Sequence, residues 1–276
     1  MINNIWAIFR KEFQSYFTAA NAYIIMGIFW LVAGFFFNSL LYGIILDVSI
    51  QEQSGFLVAR DTVSEFMTTF IGIILSSLLL VILPALSMGL YAEEKKQGTL
   101  ELLATSPLTN WSIAIGKLLG VLAFFTVMIT PLWIYEIVVF SSAVPPVNIA
   151  SILLAHLGLI LLAAAILAIG MFISSLTNSS ILAYIITFIT ILFIWILDVI
   201  ANNAETFFRD RIGGEVGEQI GFFLKELLSH LSWYQPFNNF VRGIFDSSSL
   251  VILLSYILLG IFLTTQSIEA DRYQRN

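Results

Sequence analysis

The chain has 276 residues, of which 59% are hydrophobic, 14% aromatic and only 11% charged, with a formal net charge of −6. Soluble domains carry about a quarter charged residues, so this composition excludes one and describes a polytopic membrane protein. An acidic balance with no basic stripe argues against a nucleic-acid partner, and the lack of cysteine removes disulfides, thiol nucleophiles and thiolate metal sites.

Residues 1–21 place Ile5, Ile8, Phe9, Phe13, Tyr16 and Phe17 at helical spacing on one side, with Asn4, Lys11, Gln14 and Ser15 elsewhere. That pattern predicts an amphipathic helix lying in the membrane interface. A cleaved signal peptide does not fit, because Arg10, Lys11 and Glu12 follow an apolar start and no short apolar region with a small-residue cleavage site comes after them. Six apolar runs follow, at about 23–46, 66–90, 118–140, 149–174, 181–200 and 250–268, each near the ~20 residues a helix needs to cross a bilayer. An even number puts both termini on one side, together with the polar stretch 91–117 and the short turn 175–180. That side carries seven basic residues (Arg10, Lys11, Lys95, Lys96, Lys117, Arg272 and Arg275) against five spread over longer, more acidic loops opposite. The positive-inside rule therefore predicts cytosolic termini.

The polar stretch 91–117 interrupts two long apolar runs. Thr99, after Gly98, is placed to cap a short amphipathic turn through Leu100, Leu102 and Leu103, which Pro107 ends. Glu93, Glu94, Lys95, Lys96 and Glu101 put both charge signs on one small protrusion, which suits docking to a protein better than attraction to anionic lipid. The residues alone equally allow an ordinary solvated loop whose lysines follow the positive-inside tendency.

Within the spans, Glu136 is an acid near the far end of the third run, and His156 reads as a helix–helix hydrogen bonder. Pro84 and Pro131 predict kinks, and the Ala163, Ala164, Ala165, Ala168 and Gly170 cluster predicts close helix packing. Between the fifth and sixth runs, residues 201–249 are too polar to cross. Val216, Ile220, Phe223, Leu224, Leu227, Leu228 and Leu231 recur at helical steps, so an external helix should rest on the membrane surface or on the spans. Trp233, Phe237, Phe240 and Arg242 then form either an outer lid or an interfacial belt anchoring the last span. No catalytic, cofactor or metal site is expected. His156 and His230 lack metal-ligand spacing, and the Gly116–Lys117 pair has Trp111 where a phosphate-binding loop needs its first glycine.

Residues 84–119, PALSMGLYAEEKKQGTLELLATSPLTNWSIAIGKLL, resemble the signature region of type-2 ABC exporter permeases, in particular the branch that includes the gliding-motility and nitrous-oxide-reductase-maturation permeases. The family core falls on Glu93, Glu94, Lys95, Gly98, Thr99, Glu101, Leu102, Leu103 and Pro107. An elbow-helix core matches Lys11, Glu12, Tyr16 and Phe17, although Ala20 and Asn21 stand where the family often has proline. An outer stretch matches Leu231, Ser232, Phe237, Phe240, Arg242, Gly243 and Asp246.

The resemblance implies an all-α membrane protein forming one transmembrane domain over 1–276, with six spans, an elbow helix at 1–21, a coupling segment at 91–110 and an external segment at 201–249. It implies a non-catalytic permease subunit in a bacterial cytoplasmic membrane. Its partners would be membrane lipid, a cytosolic ABC ATPase that holds ATP and magnesium, and a second permease chain, either identical or related. The activity implied is export. The alternative is mechanical transmission to an outer-face auxiliary protein.

Overall fold

A computed structural model of the protein describes residues 2–54, 62–99, 108–141 and 148–273. Among the described residues the chain forms helices and no strand. α1 (Ile2–Thr18) precedes the first span, α2 (Ala20–Ser54). The second span is composite: α3 (Thr62–Phe66), a π-helical stretch (Met67–Leu75), α4 (Ser76–Ser87) and α5 (Gly89–Lys96). The third is α6 (Asn110–Ile129) followed by α7 (Leu132–Phe140), and the fourth is α8 (Ile149–Ser175). α9 (Ser180–Ile212), α10 (Gly214–Leu231), α11 (Tyr234–Val241) and α12 (Ser247–Tyr273) complete the chain. Six of these helical stretches are long and apolar enough to cross a membrane.

Their limits differ from the sequence expectation in instructive places. The third span begins at Asn110 instead of 118, because the Thr109 side chain accepts from the Ser112 amide and caps the helix. Lys117 is thereby drawn about 10 Å inside the helix. Pro131 does interrupt this span, separating α6 from α7. Pro84 instead stays within α4, and the interruption falls at Met88. α9 runs on to Ile212 before Gly213, at φ 71°, ends it; its 33 residues are about 50 Å long against a hydrocarbon core of about 30 Å.

The fourth span, α8, is the bundle's centre, touching α4, α5, α6, α9, α11 and α12. Small residues make this possible. A Cβ on Gly260 of α12 would lie 2.6 Å from the Ala168 backbone, one on Gly158 would lie 2.5 Å from Phe240, and one on Gly170 would collide with Ser87. In lipid, where apolar surface alone does not drive helix association, such close backbone approach supplies the packing. α10 lies along the extension of α9, with Gly217 and Gly221 set against the backbone at Phe208 and Glu205, and a Lys225–Glu205 pair at 3.0 Å. This helix packs on α9 through its glycine face, while Val216, Ile220, Phe223, Leu227 and Leu231 of the expected apolar stripe are exposed.

Candidate functional site

The polar end of the bundle is assembled around Lys117. α1 lies against the first half of α6, where glycines leave room for it: a Cβ on Gly116 would meet Ile8 at 2.8 Å, and one on Gly120 would meet Glu12 at 2.7 Å. The packed side of α1 contains Ile5, Ile8, Phe9, Phe13, Tyr16 and Phe17, and it also contains Glu12. A carboxylate on an apolar stripe needs a partner. That partner is the Lys117 ammonium, 3.3 Å away and only 3% exposed.

Lys117 has three further neighbours. Its Nζ donates to Glu94 Oε1 at 2.9 Å and to the Leu90 carbonyl at 2.8 Å, and it lies 5.1 Å from the Tyr91 ring centroid. Lys11 approaches the same Glu94 oxygen at 3.8 Å from a mostly exposed position. Two lysines and two glutamates therefore balance in charge, and a buried ammonium with hydrogen-bonded counterions is one a low-dielectric site can hold. Tyr16 adds a neutral link, since its hydroxyl donates to the Leu86 carbonyl at 2.7 Å while its ring stacks on Phe124 at 4.8 Å. Burial, reinforced by the charges of Glu12 and Glu93, pushes this phenol well above its ordinary range, so it stays a proton donor. Lys95 meanwhile pairs with Asp271 of α12. Glu94, Lys95, Tyr16 and Lys117 consequently fasten α5 and the end of α4 to α1, α6 and α12.

This arrangement sorts the residues expected at a docking surface. Glu94 and Lys95 are engaged inside the chain, whereas Glu93, Lys96 and Gly98 are exposed. Gly98 has φ 72°, the left-handed conformation that favours glycine, with nothing near a would-be Cβ. Thr99 donates from Oγ1 to the Glu94 carbonyl at 3.3 Å. Glu101, Leu102, Leu103 and Pro107 lie outside the described residues. The sequence marks Glu12 only through the elbow-helix resemblance and Lys117 only as a charge of the polar stretch, and it pairs neither with the other. The available signal was a charge on each otherwise apolar face, hidden at Lys117 by an expected span start at 118, eight residues after the helix begins at Asn110.

At the opposite end, Trp233, Phe237 and Phe240 are fully buried within the chain, while Arg242 is exposed. Phe240 sits over Gly158, and Trp233 meets Tyr256 edge-on at 5.5 Å. Glu136, also buried, faces His156 Nε2 at 3.3 Å across α7 and α8. The other ring nitrogen lies 3.0 Å from the Ile152 carbonyl. His156 thus lies within ion-pair distance of an acid on the neighbouring helix, while its hydrogen bond is to its own helix. Among the described residues no group of three or more metal-binding side chains occurs.

Residues 6–264 match the sequence model of a family described as ABC-2 family transporter protein. No curated protein matches the chain.

Proposed function

Because the chain belongs to the ABC-2 transporter family, in which it is the membrane permease subunit, we propose that it couples ATP hydrolysis on a separate cytosolic ATPase to export. The observation that carries this reading is the Lys117 clamp. A segment that merely joined two spans would have no need of a buried charge pair to one neighbouring helix and further pairs to two others. A segment that receives force does need them, because they spread its displacement through the bundle.

In this account the termini face the cytosol of a bacterial inner membrane, and the protrusion beyond α5 enters a cleft of the ATPase. Glu93, Lys96, Gly98 and Thr99 lie on its approach, with Glu101, Leu102, Leu103 and Pro107 forming the remainder of the contact. Glu94 and Lys95 act one step inward, by transmitting. ATP and magnesium remain on the partner, and this chain supplies no catalytic group. Closure of two ATPases pushes α5, and the clamp carries α1, α6 and α12 with it. A second permease, identical or related, forms the other wall of the path.

At the outer end, α11 with Trp233, Phe237, Phe240 and Arg242 acts as a plug whose aromatics must be withdrawn for passage. We place the chain in the branch with the gliding-motility and nitrous-oxide-reductase-maturation permeases, on the motif from Glu93 to Pro107. One feature favours a second reading, in which work and not cargo crosses the membrane: the α9–α10 hairpin exposes Phe222, Phe223 and Leu227 where an outer protein could bind.

Purification in mild detergent tests the coupling. A nucleotide-binding protein should accompany the unaltered chain in stoichiometric amount and be lost with Gly98→Pro or Glu93→Lys plus Glu101→Lys, while the chain's melting is retained. Absence of any such protein, even with candidate ATPases co-expressed, would remove the reading. Stimulation of ATP hydrolysis by a substrate would select export, and loss of function on removing α10 without such stimulation would select transmission.

A further inference from the structure

The second span loses its helical hydrogen-bond ladder directly beside the clamp. α4 ends at Ser87 and α5 begins at Gly89, yet Met88 keeps helical backbone angles of φ −57° and ψ −35°. The interruption is one of bonding and not of chain direction. Its cause is a side chain from another span. Ser174 of α8, with no exposed surface, donates its hydroxyl proton to the Met88 carbonyl at 2.8 Å and accepts from the amides of Tyr91 and Ala92, both at 3.1 Å. In an unbroken helix the Tyr91 amide would donate to the Ser87 carbonyl, whereas the Met88 carbonyl already accepts the first bond of α5. The hydroxyl is inserted into the ladder, with its one donor and both acceptor positions occupied.

The insertion requires α8 to approach closely, and one turn earlier it does. A Cβ on Gly170 would lie 2.1 Å from Ser87 Oγ. Beyond the insertion, the charged side chains of α5 turn to other helices, Glu94 to Lys117 and Lys95 to Asp271. Before it, α4 is held to α8 at Gly170. The amide of Tyr91 has an acceptor whether it meets the Ser174 hydroxyl or the Ser87 carbonyl, so moving between the two exchanges hydrogen bonds without abandoning one. Two bonded arrangements of similar free energy are what a bistable joint requires.

We propose that Ser174 is a positioning residue that opens the second span at Met88 into a hinge, across which α5 tilts relative to α4. Its use in transport rests on α5 being the driven segment. The hinge itself is a property of this chain alone.

The absence of cysteine lets two spin labels be placed by introducing cysteines at Gln97 and Ile181, both exposed, in the purified chain without partners. Ser174→Ala should let the ladder close, shifting and narrowing the interlabel distance distribution. Ser174→Thr, which keeps the hydroxyl, should leave it as in the parent. Gly170→Ala keeps Ser174 but forces α8 away from Ser87, and should shift the distribution as Ser174→Ala does. Unchanged distances in both alanine variants would overturn the hinge, even if melting fell. So would an equal shift in Ser174→Thr. Since no ATPase is present, these outcomes stand whether or not one binds the chain.

Discussion

Lys117 is the residue whose loss should be felt most. It is 3% exposed and lies between Glu12 and Glu94, themselves 13% and 17% exposed, so Lys117→Met would leave two carboxylates facing each other with little water. Breaking a buried pair by removing one partner costs about 3 kcal/mol. The expected outcome is a clearly lower melting midpoint in detergent, largely restored when Glu12→Gln and Glu94→Gln are added. No restoration would show that the lysine contributes packing and not charge. Asp246 gives a pH-dependent counterpart at the start of α12. Its carboxylate accepts from the Ser249 hydroxyl at 2.7 Å and from the amides of Ser248 and Ser249, and these bonds hold its pKa below the usual carboxylate value. A lowered folded-state pKa contributes stability that is complete above the unfolded value, about pH 4, and is lost as pH falls through the folded one. Asp246→Asn should therefore reduce the acid-side slope of melting against pH. An unchanged slope would remove the cap from the account. Both acids were visible in the sequence, but only Asp246 sits in a stretch whose role is local. The partner of the Glu12 carboxylate is 105 residues away, and no spacing rule reaches it.

At the scale of elements, the docking of α1 depends on the two glycines of α6. Gly120→Val would push against Glu12 and the Phe13 amide, 3.2 Å from a Cβ. Overpacking of this kind costs about 1–3 kcal/mol, here spent on separating α1 from the bundle. Trypsin should then cut faster after Arg10 and Lys11, and equal cutting in parent and variant would contradict the packing. In α11, Phe240→Ala opens a cavity over Gly158 and should destabilise by about 3 kcal/mol, whereas an aromatic belt residue would show much less on thermal melting. Most elements were legible because apolar runs of span length and a 3.6-residue stripe have few other solutions. The limits were less so. Thr109 capping moved the third span's start by two turns, and the break at Met88 is written in Ser174, on a different helix. Pro84, the obvious local breaker, does not interrupt its helix, since neighbouring groups can satisfy the carbonyl that proline leaves free.

For the whole molecule, the spans differ in how much they are covered. In the most apolar stretch of the first and fifth spans only 28% and 22% of residues are buried, against 61% in the second and fourth. The centre around α8 is enclosed within one chain, and α2 and α9 are the spans least covered by it. Composition announced a membrane bundle, and the motif from Glu93 to Pro107 announced its family. What neither contained was the division of that motif into residues turned inward and residues turned out. That division can be measured directly with a photo-crosslinking side chain placed at Gln97, which is exposed, and separately at Tyr91, which is buried, in cells expressing the full chain. The account predicts an adduct between Gln97 and a nucleotide-binding protein, changed in yield by ATP, and none from Tyr91. Adducts from Gln97 to lipid alone, with no nucleotide-binding protein captured under any nucleotide condition, would contradict it.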